Sequence, residues 1–219
     1  MQDAAPPATV SRLITYLRTI SGMLRAGVTS TSSEELSGAT GVSAFQIRKD
    51  LAYFGTFGTR GSGYGVQVVH DRLREILGLT GVYDVAIIGM GRLGQAITDY
   101  PAFGEYGFSI RAMFDRDPAR VGQSFGGVVV SDSADLAATV AERNIQMMLI
   151  TVPAEAAQAV TDEVVAAGIT AILNFAPVVL RVPDNVMVEN VDFLAGLKRL
   201  SYHLRGMPVA KHSGRQQPV

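Results

Sequence analysis

Residues 85–97, VAIIGMGRLGQAI, decide the fold of the larger part of this chain of 219 residues. An apolar run typical of a buried strand enters the pattern Gly-x-Gly-x-x-Gly, and a helical pattern follows. In this context Gly89 permits a tight turn, Gly91 lets the backbone approach a pyrophosphate, and Gly94 lets the helix pack closely on the strand. The stretch therefore predicts a dinucleotide-binding loop with the phosphates at the N-terminus of the helix.

Strands and helices alternate from Tyr83 onward, which predicts a Rossmann-like, doubly wound α/β domain with a parallel sheet and helices on both faces. The second predicted strand ends at Asp115, where a carboxylate accepts hydrogen bonds from the adenosine ribose and repels a 2′-phosphate. This favours NAD(H) over the phosphorylated cofactor. Other cofactor contacts are expected near the loop and at strand ends: Met90, Arg92, Leu93, Arg116, Arg120, Thr151, Val152, Pro153, Asn174, Phe175, Ala176 and Pro177. A phosphate-free Rossmann domain and a coenzyme A or mononucleotide site are open alternatives.

The first 78 residues have the element order of a winged helix-turn-helix domain. Residues 1–9 have the composition of a loosely tethered arm, and an amphipathic helix is predicted over 11–25. Capping boxes at Ser32 and Ser43 open two short helices, to about Thr40 and Phe54. The remaining predicted elements are a glycine-rich wing at 55–65, a short strand at 66–69, a helix at 70–77 and a linker at 78–81.

The third predicted helix has an apolar face and a polar face, as a helix in the major groove requires. In the wing, an arginine on a slim glycine loop suits a minor groove. The residues expected at DNA are Ser43, Gln46, Arg48, Lys49, Tyr53, Thr59, Arg60 and Gly61. Because Gln46 also belongs to a capping box, we do not expect it to read bases. Because helix-turn-helix folds also serve as dimerisation modules, that role remains an alternative.

Charge and composition narrow the function further. Residues 1–80 carry eight Lys and Arg against six Asp and Glu, whereas residues 81–205 carry nine against fourteen, so a polyanion is expected to meet the N-terminal domain. The absence of cysteine excludes disulfides, zinc–thiolate sites and thiol nucleophiles. With no signal segment and no run of 18 apolar residues, a soluble cytoplasmic protein is expected.

The predicted Rossmann domain lacks the side chains that a dehydrogenase usually supplies. Residues 82–191 contain no His and no Lys, the usual proton donors near a nicotinamide together with Tyr. This argues against an enzyme, although an NAD-dependent oxidoreductase with a helical dimerisation domain is kept as the alternative.

Seven sequence blocks between Ser11 and Leu204 closely resemble the Rex family of redox-sensing transcriptional repressors. They are SRLITYLR, AFQIRKDLAYFGTFGTRGSGYGV, IIGMGRLGQAITDYPAFGE, FDRDPARVG, ITVPAEAAQ, ILNFAPVVL and VENVDFLAGL. The resemblance implies a homodimer that binds an inverted-repeat operator as double-stranded DNA and senses NADH and NAD+, with no metal and no membrane.

The resemblance also implies a relay between the two sites. Tyr100 would lie near the nicotinamide, and Phe193 of the partner would help close its pocket. Asp192 of the partner would pair alternately with Tyr100 or with Arg18. The implied boundaries are 1–78 for the DNA-binding domain with its arm, 79–191 for the NAD(H)-binding domain, 192–205 for a swapped dimerisation helix and 206–219 for a polar tail.

Overall fold

The structure, a computed structural model, describes residues 5–55, 57, 63–100 and 102–205. The chain divides into two compact units, Met1–Val82 and Tyr83–Val219. Thr59, Arg60 and Gly61, which we expect at DNA, lie outside the described residues.

The N-terminal unit consists of helices and a small antiparallel sheet. Its helices are α1 (Pro7–Arg25), α2 (Ser33–Thr40), α3 (Ala44–Tyr53) and α4 (Val66–Ile76), and its strands are β1 (Ser30–Thr31) and β2 (Tyr64–Gly65). The strands pair with Ser30 opposite Gly65. Leu13, Leu17 and Ile20 of α1 are buried against apolar side chains from the other helices, so α1 forms the centre of this core. This is the winged-helix arrangement that the sequence predicts.

Two predicted boundaries in this unit are wrong. Helix α1 begins at Pro7 rather than beyond residue 9, because proline fits the first helical position and Thr9 is buried there. The run at 66–69 is the start of α4 and not a strand. Val66, Val69 and Leu73 share one helical face and are all buried, and a strand would have separated them onto two faces.

The two predicted capping boxes differ in the structure. At α2 the box is complete: the Glu35 N–H donates to Ser32 Oγ at 3.1 Å, and the Ser32 N–H donates to Glu35 Oε2 at 2.8 Å. At α3 only the first half forms, because the Gln46 N–H donates to Ser43 Oγ while the Gln46 side chain donates to Asp50 instead. Asp50 lies one helical turn further on, within easy reach of that amide.

The C-terminal unit is built on a seven-stranded sheet with the order β5-β6-β4-β3-β7-β8-β9. The strands are β3 (Tyr83–Ile88), β4 (Phe108–Asp115), β5 (Ser124–Phe125), β6 (Val128–Asp132), β7 (Met147–Ile150), β8 (Ala171–Asn174) and β9 (Met187–Asn190). All neighbours pair in parallel except β5 with β6. The chain leaves β3 in one direction to β4 and β6 and then crosses to β7, so the carboxyl end of β3 is the switch point where such sheets bind ligands.

Helices cover the two faces of the sheet unequally. The helices on the sheet are α5 (Arg92–Thr98), α6 (Ala102–Glu105), α7 (Leu136–Glu142) and α8 (Ala154–Ala166), and a last helix, α9 (Phe193–Leu204), follows β9. One face packs on α7 and α8 and forms the larger core, whereas the other packs on the short α5 and α6. The helical pattern after the glycine loop predicts one helix over 92–103, but the structure has two. The break follows from sequence, since Tyr100 precedes Pro101 and a residue before proline disfavours helix.

Among the described helices, none is both long and apolar enough to cross a membrane.

Candidate functional site

The glycine loop after β3 has a shape that only glycine allows at two positions. Gly89 has φ +99°, and a Cβ there would lie 2.8 Å from Val152 Cγ1. A Cβ on Gly94 would lie 2.4 Å from the carbonyl oxygen of Gly89, so α5 packs directly on the loop. Gly91 precedes α5 with open space beside its Cα. A large polar ligand can therefore approach the backbone at Gly91.

Asp115 lies at the end of β4, as the sequence predicts, but its carboxylate already has partners within the protein. Its Oδ2 accepts the N–H of Met90 at 2.7 Å and the guanidinium of Arg120 at 2.9 Å, and its Oδ1 accepts the N–H of Asp117 at 2.9 Å. Burial raises the pKa of Asp115, but these donors outweigh it and lower the pKa below its usual value. The group is therefore ionised at neutral pH, and Oδ1 keeps a lone pair for a ribose hydroxyl.

A cleft of about 1040 Å³ lies at this edge of the sheet. Ten of the residues that we expect at the cofactor line it: Gly89, Gly91, Arg92, Leu93, Asp115, Arg116, Arg120, Thr151, Val152 and Pro153. Two expected residues lie behind its surface. Gly94 is buried, and Met90 has a buried side chain and a backbone N–H that Asp115 accepts. Thus the structure brings most of the predicted cofactor residues together in one place.

The stretch 174–177 does not line this cleft. Asn174 is fully buried, its Nδ2 donates to the carbonyls of Ala176 and Val178 and to Asn190, and its Oδ1 accepts the N–H of Ala176. This arrangement does not support the predicted cofactor contact from the Asn174 side chain. The amide instead fixes the loop that follows β8, in which Phe175 packs on the thinly covered face of the sheet.

The thinly covered face carries an apolar groove of about 450 Å³. Its walls are Tyr100, Phe103, Tyr106 and Phe108, and its floor consists of residues of β3 and β7–β9, including Val85, Leu149, Leu173 and Met187. Tyr100 is 62% exposed and meets the edge of Phe103 at a centroid distance of 6.4 Å. The groove is thus an uncovered part of the sheet, with Tyr100 at its border.

The last helix, α9, leaves its apolar side chains exposed. Phe193, Leu197, Leu200 and Leu204 recur at helical spacing, and each is more than half exposed. Asp192 caps the helix by accepting the N–H of Ala195 at 2.9 Å. The stripe therefore lacks the covering that an apolar helical face of this size normally has.

In the N-terminal unit, α3 divides into an inward and an outward face. Ile47 and Leu51 are buried as predicted. The outward stripe consists of Phe45, Arg48, Lys49, Ala52 and Tyr53, all exposed. Phe45 is 70% exposed. It is not among the predicted DNA contacts, because the sequence pattern places it on neither the apolar nor the polar face of the helix. Its position four residues before Lys49, which places both on one side of a helix, is the signal that identifies it.

The polar groups of Gln46 and Arg48, both predicted DNA contacts, have intramolecular partners. The Gln46 side chain donates to Asp50 Oδ1 at 2.8 Å. Arg48 donates to Ser33 Oγ at 2.7 Å and pairs with Glu34 at 2.9 Å, which ties α3 to α2 at the surface. Ser43 caps α3 and is exposed. Of the predicted contacts on α3, Lys49 and Tyr53 lie at the centre of the outward stripe.

Asp50 is the buried centre of a polar network between α3 and α1. Both of its oxygens accept from Arg12, at 2.6 and 2.7 Å, and Oδ2 also accepts the Tyr16 hydroxyl at 2.8 Å. Burial raises the pKa of Asp50, but hydrogen bonds from Arg12, Gln46 and Tyr16 lower it overall. Burial and the Asp50 carboxylate raise the pKa of Tyr16. The network fixes the angle at which α1 supports α3.

The predicted relay residues are distributed over both units. Arg18 is exposed on α1, whereas Tyr100 and Asp192 belong to the C-terminal unit. Besides capping α9, Asp192 lies 3.9 Å from the Lys198 ammonium. Their coupling remains a prediction. Within the part of the chain that the structure describes, no group of three or more His, Cys, Asp or Glu is placed to hold a metal ion.

Comparison with known proteins covers both units. Residues 5–52 match the family model described as putative DNA-binding protein N-terminus, and residues 81–178 match the CoA binding domain. The redox-sensing transcriptional repressor Rex of Deinococcus radiodurans is 45% identical, covering 92% of this chain and 94% of that protein. The corresponding Rex of Thermus thermophilus is 55% identical, covering 90% and 92%.

Two solved structures of RSP, a Rex-family repressor, are similar throughout. The complex with β-NADH has a TM-score of 0.86 at 38% identity and covers 93% of this chain and 96% of that one. The complex with β-NAD+ and operator DNA has a TM-score of 0.89 at 40% identity and covers 93% and 94%. On this similarity over nearly its whole length, the chain belongs to the Rex family of redox-sensing transcriptional repressors.

Proposed function

We propose that this protein is a homodimeric transcriptional repressor that binds inverted-repeat operator DNA when NADH is low and releases it when NADH binds. The observation that carries the proposal is the preformed cleft around the glycine loop in a chain that also has a winged-helix unit. RSP, similar to this chain over 93% of its length, has been solved both with NADH and with NAD+ and operator DNA.

NAD(H) is the ligand that the cleft chemistry favours. The ionised Asp115 at the end of β4 suits a ribose with free hydroxyls and repels a 2′-phosphate. The match of residues 81–178 to a CoA binding domain keeps coenzyme A as a competitor. Displacement of bound NADH by an equimolar amount of coenzyme A would favour coenzyme A as the ligand.

The dimer is proposed to form through the C-terminal unit. Helix α9 exposes an apolar stripe, and the sheet exposes an apolar groove bordered by Tyr100. We propose that α9 of one subunit covers the groove of the other, which buries both surfaces and brings Phe193 and Asp192 of one subunit to Tyr100 of its partner. A two-fold dimer then presents two α3 helices to the two halves of an inverted repeat.

The switch needs a group that distinguishes the two redox forms. NADH differs from NAD+ by a hydride and by the loss of a positive charge on the nicotinamide. We propose that Tyr100, Asp192 and Arg18 respond to that charge, with Asp192 exchanging one partner for the other. Release then requires only that NADH bind the DNA-incompetent state better, typically by about 1–3 kcal/mol.

An enzymatic role is not proposed. Residues 82–191 contain no His or Lys to protonate a substrate, and the relatives are named repressors. Action on operator DNA supports a cytoplasmic location. Steady oxidation of NADH with a small carbonyl substrate would instead support the oxidoreductase interpretation.

The test is a gel shift with an inverted-repeat duplex selected by the protein itself from a random library. Adding NADH should dissolve the complex, and adding NAD+ at the same concentration should leave it intact. Equal dissociation by both nucleotides would contradict the proposed redox response.

A further inference from the structure

The peptide bond between Gly89 and Met90 lies just beyond the carboxyl end of the central strand β3. The regular ladder reaches this point, since the Gly89 N–H donates to the Phe114 carbonyl of β4 at 2.8 Å and the Thr151 N–H donates to the Ile88 carbonyl at 3.0 Å. There the chain turns, with Gly89 at φ +99°. Backbone atoms of β4 and β7 therefore no longer reach the next peptide.

Two side chains hold this next peptide from opposite sides. The Thr151 hydroxyl donates to the carbonyl of Gly89 at 2.6 Å, with the Ile88 carbonyl as a second, longer acceptor at 3.0 Å. The N–H of Met90 donates to Asp115 Oδ2 at 2.7 Å. The carbonyl and N–H of a trans peptide point in opposite directions. Thr151 follows β7 and Asp115 ends β4, the two strands on either side of β3. Two side chains thus continue the hydrogen-bond ladder by one peptide. We call this pair, Thr151 and Asp115, the peptide clamp.

The clamped peptide forms part of the cleft wall and is itself buried. Gly89, Met90 and Asp115 are buried, and Gly94 packs against the clamped carbonyl so closely that a Cβ would approach it to 2.4 Å. A glycine peptide otherwise has wide conformational freedom, which a ligand would have to remove on binding. The clamp removes that freedom beforehand, and Gly91, Arg92 and Leu93 line the cleft immediately after it.

We infer that Thr151 is a positioning residue that prepares the pyrophosphate loop by holding the Gly89 carbonyl. The inference rests on the proposed function and deepens it. Because the loop serves the part of the cofactor common to both redox forms, Thr151 sets the affinity for NADH, NAD+ and ADP-ribose together. It leaves the preference between NADH and NAD+ unchanged.

The test compares Thr151→Val with Thr151→Ser in the full-length protein by calorimetric titration with NADH, NAD+ and ADP-ribose. Valine keeps the shape and removes the hydroxyl, while the backbone N–H of residue 151 still satisfies Ile88. Losing this part-buried hydrogen bond should weaken the binding of all three ligands about tenfold and by the same factor. Serine keeps the hydroxyl and should restore affinity to within about threefold of the wild-type protein.

Thr161→Val is the matched control. Thr161 is fully buried, and its hydroxyl donates to the Ala157 carbonyl at 2.6 Å within α8. Its loss removes a comparable hydrogen bond away from the cleft lining, so the affinity for all three ligands should stay within about twofold of wild type. If Thr151→Val does not fold, Thr151→Ala against Thr151→Ser provides the same comparison.

The outcomes separate this inference from the proposed function. Wild-type protein that binds neither NADH nor NAD+ would contradict the proposed function itself. Wild-type binding together with unchanged affinities in Thr151→Val would overturn the clamp. A loss confined to NADH, or a serine variant as weak as valine, would also overturn it.

Discussion

At the residue scale, Asp50 joins α3, the helix proposed to contact DNA, to Arg12 and Tyr16 of α1. Replacing Asp50 with Asn leaves Arg12 without its carboxylate and should cost about 3 kcal/mol of unfolding free energy, the lower end for breaking a buried pair because Arg12 is partly exposed. Tyr16→Phe keeps the pair and should cost about 1.5 kcal/mol, the value for a hydrogen bond to a charged group. Thermal and urea unfolding measure both, with the exposed Asp71→Asn as control.

Asp50 should also make the stability of the folded protein depend on pH. Since the folded state lowers the pKa of Asp50, its stabilising effect is complete above the unfolded pKa of about 3.9 and is lost as pH falls through the folded value. Wild-type stability should therefore decline more steeply than that of Asp50→Asn below about pH 4. Parallel curves for the two proteins would show that the network adds nothing to acid stability.

Asp192 both caps α9 and belongs to the proposed relay, so the substitution that tests the relay has to preserve the cap. Asp192→Ala would remove the cap, which typically costs about 1 kcal/mol, and would confuse the two roles. Asp192→Asn keeps a capping oxygen and removes the charge. We expect it to bind NADH and DNA separately but to retain DNA when NADH is added. Normal NADH-driven release by this variant would exclude Asp192 from the relay.

At the element scale, the outward stripe of α3 has an apolar and a cationic member that should act differently on DNA. Phe45 is suited to the methyl group of thymine, so Phe45→Ala should weaken the selected duplex about tenfold while binding to random DNA is unchanged. Lys49→Ala should weaken all sequences and lower the slope of log affinity against log salt by about one. Anisotropy titrations over a range of salt measure both, and identical behaviour of the two variants would contradict this division.

The stripe on α9 should hold the dimer. Leu200→Glu places a carboxylate in the proposed interface, at a cost of several kcal/mol, and should raise the dimer dissociation constant at least 100-fold. Arg199→Glu introduces the same side chain outside the stripe and serves as control. Sedimentation equilibrium distinguishes them, and an intact Leu200→Glu dimer would show that α9 lies outside the interface.

Elements with strong local signals were predictable, whereas those decided by tertiary neighbours were not. The Gly89–Gly94 loop, the strands around it and the Ser32 capping box follow from patterns within a few residues. The helical structure of Val66–Val69 did not follow from sequence, because a short apolar run fits both a strand and a helix. Only burial against α1 decides between the two. The partners that the Gln46 and Asn174 amides have in the structure did not follow from sequence either, and the ligand contacts of these two residues stay predictions.

At the scale of the whole molecule, the proposed NADH site and DNA site are joined through one equilibrium between DNA-competent and DNA-incompetent states. Linkage then requires reciprocity: if NADH lowers operator affinity by a certain factor, operator DNA must lower NADH affinity by the same factor. A typical coupling of about 1–3 kcal/mol corresponds to roughly 5–150-fold. The clamp at Thr151 lies outside this coupling, because it serves both redox forms equally.

Operator binding by the wild-type protein across a series of NADH/NAD+ ratios, at constant total nucleotide, tests the central claim most directly. The account predicts that the duplex stays bound when NAD+ predominates and is released as the NADH fraction rises. Binding that depends on total nucleotide but not on the ratio would contradict it.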